Sequence, residues 1–172
     1  MTDTENTLQI RRILQENPYY CSITCVQITL KYFGIHKNQN ELAAAMNTKL
    51  PDDQAGWLGT YDYELVSYLN NQLFGGQPHI ETDAGYGLQS LTIQDYNDTT
   101  LQLFKYRIIH NIKDGYPSFI QIQVDDLFGN DNNIETTFTF LDPYFGVQEG
   151  FTVSSEQLFH AMIISDEPSC IW

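Results

Sequence analysis

The chain has 172 residues, with 8 Lys plus Arg against 22 Asp plus Glu and a formal net charge of −14. Hydrophobic residues at 42% and aromatics at 13% exclude a disordered polyanion and supply one core, so a single domain over 1–172 is expected. The charge excludes nucleic acid and anionic membrane as partners through the general field of the molecule.

The first predicted element runs from Cys21 to Phe33 and stops at Gly34. Val26, Leu30 and Phe33 recur at spacings of three and four, as do Cys25, Ile28 and Tyr32, which describes a helix apolar on more than one side and therefore buried. Asn38 or Asn40 caps a second short helix through Ala43–Met46. A loop with Pro51, Asp52, Asp53, Gly56 and Gly59 follows, and Thr60 is the expected N-cap of a third helix carrying Leu65, Val66 and Leu69. Residues 77–99 read ambiguously, with a short strand over Leu88–Ile93. Thr100 is the expected cap of a fourth helix that aligns Leu101, Phe104, Ile108 and Ile112, and Asp114–Pro117 breaks it.

Past that break the period becomes two. Ile120, Ile122 and Val124 alternate with Gln121 and Gln123; Ile134, Thr136, Phe138 and Phe140 do the same ahead of Asp142-Pro143. Phe151–Val153 is a further strand, and Ser154 with Gln157 has the spacing of a capping box for a last short helix toward Met162. Helices first and strands later, without regular alternation, predict an α+β fold with N-terminal helices packed on a C-terminal antiparallel sheet. No basic residue follows Lys113 while ten acids do, so the potential is asymmetric along the chain.

No run of 18 apolar residues exists, so no membrane span is expected, and Met1–Asn6 lacks the basic and apolar regions of a secretory signal. Three cysteines, Cys21, Cys25 and Cys170, cannot all pair; they fit thiols in a reducing compartment, and a cytoplasmic location is the expectation.

Cys21 is the sharpest candidate for chemistry. It stands where a buried helix begins, and unpaired N–H groups at a helix N-terminus favour the anionic form of a thiol and can hold an oxyanion. Taken alone, a cysteine reads more readily as a small core residue. Gln15 lies six residues earlier, in a stretch reading Gln-Glu-Asn-Pro-Tyr-Tyr-Cys-Ser-Ile-Thr-Cys and ending in Tyr32-Phe33-Gly34. This stretch resembles the opening of the bacteriocin-processing (double-glycine) peptidase-like family of papain-like cysteine peptidases. The resemblance implies Cys21 as nucleophile, Gln15 as oxyanion donor and Cys25 as a structural residue.

The similarity continues in order along the chain. Glu41-Leu42-Ala43 resembles the family's second helix, and Leu58-Gly59-Thr60 its Gly-Thr turn. Asn111 to Pro117 is similar to its helix and Gly-x-Pro break, and Phe140-Leu141-Asp142-Pro143 to the strand whose Asp orients the catalytic His. Two departures stand out. Ser22-Ile23-Thr24 replaces the usual Gly-Pro-Ala, and no His occurs between His110 and His160, where the family carries its catalytic His strand. His36, His79 and His110 read as surface residues. His160 leads an apolar run, His160-Ala161-Met162-Ile163-Ile164, and could serve out of the usual order, although the Ser154 cap places it on the last helix.

Asp125, Asp126, Asp131 and Glu135 offer oxygen ligands for Ca²⁺, but the EF-hand template would put Val124 and Phe128 at ligating positions, so a solvated loop is expected. Neither a metal site nor a cofactor is expected. The functional expectation is therefore a papain-like cysteine peptidase or related thiol acyl-transfer enzyme acting on a peptide, through Cys21, Gln15, Asp142 and His160. The alternative is a degenerate homologue that binds a peptide or protein partner without cutting it.

Overall fold

The computed structural model describes residues 7–53, 56–75, 88, 90–92, 95–122, 137–140, 151–165 and 169–171. It is an α+β structure whose elements run α1 (Cys21–Tyr32), α2 (Gln39–Ala45), a 3-10 turn (Pro51–Asp53), α3 (Asp62–Phe74), β1 (Ser90–Thr92), α4 (Asp98–Lys113), β2 (Phe119–Ile120), β3 (Thr137–Phe140), β4 (Phe151–Ser154), α5 (Ser155–Ile163) and β5 (Ser169–Ile171). The described residues fall into two compact units, one drawn from residues 10–90 and the other from 7–9 and the stretch after 90.

In the first unit, α1 packs against α2 and α3. Five β-branched residues of α1, namely Ile23, Thr24, Val26, Ile28 and Thr29, are buried, so packing outweighs their poor intrinsic helix propensity. The buried Thr24 hydroxyl donates to the Tyr20 carbonyl at 2.8 Å and so carries no unsatisfied polar group inside. Leu42, Met46, Leu65 and Leu69 complete the core beside Ile23, Val26 and Leu30. Gly34 ends α1 at φ 80, where a side chain would be strained, and Ile35 N–H closes back on the Leu30 carbonyl at 2.8 Å. Asn38 caps α2, accepting from Glu41 N–H at 2.8 Å while Glu41 Oε2 accepts from Asn38 N–H at 3.1 Å. Asn40 is used differently, accepting from the Tyr20 hydroxyl at 3.0 Å.

Thr60 is not the cap of α3. The N-cap is Tyr61, with no side-chain bond, because the Thr60 hydroxyl is taken by Thr48 at 2.7 Å beside the Lys49–Gly59 bridge. The buried Asn70 amide pairs with Leu88 as a strand would: its Nδ2 donates to the Leu88 carbonyl at 3.0 Å and its Oδ1 accepts from Leu88 N–H at 2.7 Å.

In the second unit, α4 begins earlier than expected. Asn97 is its N-cap, and Thr100 is the third helical residue of the same capping box. β3 pairs antiparallel with β4, Phe138 facing Val153, and β2 pairs antiparallel with β5 in a sheet of order β1-β5-β2. Of the strand expected over Ile120–Val124, Ile120 lies in β2, Gln121 and Ile122 follow it outside the strand, and Gln123 and Val124 lie outside the described residues; β5 has no counterpart in the sequence reading. Residues Ile134 and Thr136 of the expected third strand lie outside the described residues. α5 forms as the Ser154–Gln157 spacing predicts, Ser154 Oγ accepting from Gln157 N–H at 3.1 Å. Leu101, Phe104 and Ile108 of α4 pack with Phe138, Val153, Leu158, Phe159, Met162 and Cys170 into one core.

Candidate active site

The approach to α1 is a tight turn built on Asn17. Its side-chain oxygen accepts from Tyr19 N–H at 3.0 Å, and its carbonyl accepts from Tyr20 N–H at 3.0 Å. Tyr20, only 5% exposed, is the N-cap of α1 and offers no capping side-chain bond. Cys21 is therefore the first helical residue, exposed, in a first turn that contains no acidic residue and receives no capping side chain. Those are the conditions under which first-turn N–H groups stay available to a negative charge beside the sulfur.

Gln15 is tied to the same turn. Its Nε2 donates to the Asn17 carbonyl at 3.0 Å, the carbonyl that also receives Tyr20 N–H. A primary amide has two N–H donors, so one remains for a ligand. Gln15 Oε1 is buried and has no hydrogen-bond partner among the described residues. Glutamine and cysteine thus belong to one short segment, with the amide anchored to the turn that launches the helix. The chemistry of this segment is that of a thiol nucleophile and an amide hydrogen-bond donor.

The three cysteines are all thiols, Cys21 exposed, Cys25 half-buried and Cys170 buried. Cys25 sits one turn further along α1, within the helix body.

Asp142 and His79 lie outside the described residues. His160 lies on α5, exposed, with its ring edge-on to Tyr96 at a centroid distance of 5.7 Å, so its helical placement follows the Ser154 cap. His36 is exposed, and His110 is exposed on α4, its Nδ1 3.0 Å from Asp114 Oδ2. The acidic stretch Asp125–Glu135 also lies outside the described residues; among those described, no cluster of three or more His, Cys, Asp or Glu is placed to hold a metal ion. No helix there is long and apolar enough to cross a membrane.

One residue near the candidate site escaped the sequence reading. Gln39, fully buried, hydrogen-bonds the backbone on both sides of Gln15. A glutamine at the start of a short helix ordinarily reads as solvated, and its spacing from Gln15 carries no periodic signal.

No curated protein matches the chain. A family model described as "Peptidase_C39 like family" matches residues 7–165, running through both units and including Gln15, Cys21 and His160. The exposed cysteine opening a buried helix, the glutamine six residues before it and this match together place the chain in the Peptidase_C39-like family, whose kinship is with papain-like cysteine peptidases.

Proposed function

We propose that the protein is a cysteine peptidase or related thiol acyl-transfer enzyme acting on a peptide, of the bacteriocin-processing kind. Cys21 is the nucleophile, Gln15 the oxyanion donor, and Asp142 orients a histidine, for which His160 is the candidate. The observation that carries this reading is the exposed Cys21 at the first position of α1, launched from the turn to which the Gln15 amide is tied.

Cys21 Sγ bonds to the substrate carbonyl carbon as the carbonyl pair moves onto oxygen, where Gln15 N–H and the helix N-terminus stabilise it. The thiol proton passes to the imidazole and from there to the leaving amine, which departs as the acyl-enzyme forms. Water then releases the acid by the same route reversed. Neither metal nor cofactor enters these steps.

The expected outcome is that iodoacetamide alkylates the exposed Cys21 well before the half-buried Cys25 or the buried Cys170. Mass spectrometry of tryptic peptides reads the order. Equal, slow labelling of all three contradicts the proposal. Cys21→Ala removes all peptide cleavage, and His160→Ala removes it too if that imidazole is the base.

A second reading is favoured by the absence of any His between His110 and His160. Here the homologue keeps its groove and binds a peptide or protein partner without cutting it. A general acid typically contributes about 10²–10⁴-fold, so such a protein would hold substrates far longer than it turned them over. Under this reading Cys21→Ala leaves partner affinity unchanged.

A further inference from the structure

We infer that Gln39 is the positioning residue of the oxyanion arm, holding the backbone of Gln15 in place from within the core; the inference rests on the role proposed above for Gln15. Gln39 is the first residue of α2 and is fully buried. Its Oε1 accepts from Glu16 N–H at 2.8 Å, and its Nε2 donates to the Leu14 carbonyl at 2.8 Å. One side-chain amide thus pairs with the segment as a neighbouring β-strand would, gripping the chain immediately before and after Gln15.

The grip continues to the helix that carries Cys21. Gln39 Nε2 also donates to Gln27 Oε1 at 3.1 Å, and Gln27 Nε2 donates to the Lys37 carbonyl at 2.8 Å. Gln27 lies on α1, six residues after Cys21. Two glutamine amides therefore join the arm bearing Gln15, the helix bearing Cys21 and the loop leading into α2.

The chemistry explains why a buried amide is suited to this task. An amide offers both a donor and an acceptor in one plane on separate atoms, the complement of a backbone segment, whereas an ionised carboxylate only accepts and a hydroxyl puts both functions on one oxygen. Because Gln39 is buried, each of its own bonds is costly to leave unmade, so the segment around Gln15 has one strongly preferred position. An oxyanion donor works only where its N–H sits close to the charge that develops, and a shift of a fraction of an ångström weakens it.

The test uses two reagents on Cys21. p-Nitrophenyl acetate transfers its acetyl group to Sγ, releasing p-nitrophenolate and the thiol proton, through a tetrahedral oxyanion. Iodoacetamide alkylates the same sulfur by displacement of iodide and forms no oxyanion. Cys21→Ala supplies the background from the other thiols. Removing an oxyanion donor costs about 10²–10³-fold, so Gln15→Ala is expected to slow acylation strongly and alkylation by no more than about twofold.

Gln39→Met, similar in length but without hydrogen-bonding groups, is expected to slow acylation about tenfold with the same sparing of alkylation. The double variant Gln15→Ala/Gln39→Met is then no slower than Gln15→Ala alone, a non-additivity that a general loss of packing does not produce. Should Gln39→Met fail to fold by circular dichroism, the half-buried Gln27→Met removes the two bonds that Gln27 makes, leaves the two from Gln39 to the backbone, and carries the test with a smaller but equally selective loss. If Gln15→Ala slows acylation while neither glutamine variant does so selectively, Gln39 is not the positioning residue and the role of Gln15 stands. If Gln15→Ala has no effect, the oxyanion reading falls and this inference with it.

Discussion

Lys105 and Glu156 show how a charged pair behaves when it is mostly withdrawn from solvent. Nζ lies 2.7 Å from Oε1, and the two side chains are only 11% and 20% exposed. Burial by itself would raise the Glu156 carboxyl. The Lys105 hydrogen bond, a backbone N–H and the Ser155 hydroxyl outweigh it and hold the group below its ordinary value of 4.5. The folded state therefore binds that proton less readily than the unfolded chain. The stabilisation is fully present above pH 4.5 and is lost as pH falls from there through the folded value. Glu156→Gln is expected to cost about 1–3 kcal/mol near neutrality, a gap that closes in acid. Urea titrations of both proteins across pH measure it, and an undiminished difference at about pH 2 contradicts the assignment. The His110–Asp114 pair is more than half exposed on both sides and contributes little by comparison.

At the level of elements, helix starts decide how far sequence reasoning reaches. The Ser154–Gln157 box was legible because both partners are local and the reciprocal bonds form within four residues. Ser154→Ala is expected to destabilise the protein by about 1 kcal/mol, read as a lower midpoint in thermal unfolding with an unchanged native circular dichroism spectrum. Thr60 and Thr100 were misassigned for a shared reason: each is a competent cap whose hydroxyl found another partner. Thr60 pairs with Thr48 across a two-residue bridge, and Thr100 serves Asn97 from inside the helix, its hydroxyl accepting from Asn97 N–H at 3.1 Å. A list of capping residue types cannot choose between them, since the choice depends on where the neighbouring backbone goes. β5 was missed because three residues hold too little periodicity, and its partner β2 lies some fifty positions earlier.

At the scale of the molecule, each unit has its own apolar centre, and the second holds aromatic rings in tilted and edge-on contact. Phe104 meets Phe159 at 5.0 Å between centroids and Phe138 at 6.2 Å, joining α4, α5 and β3. Phe159→Ala is expected to cost about 3–5 kcal/mol because a fully buried ring leaves a cavity between packed helices. Chemical denaturation should show the loss, and a change below about 1 kcal/mol would mean that the site collapses around the deletion.

The sequence by itself determined the α+β character and the helix that opens at Cys21 and stops short of Gly34, because these rest on local periodicity. Only the tertiary structure decided that Asn17 rather than a capping side chain organises the entry to α1, that His160 stands exposed against Tyr96, and that Gln39 clasps the backbone around Gln15. For His160 and Gln39 the physical reason is the same. A hydrogen bond or a ring contact between residues far apart in sequence is chosen by which groups burial deprives of water, and that competition is settled only when the chain is packed.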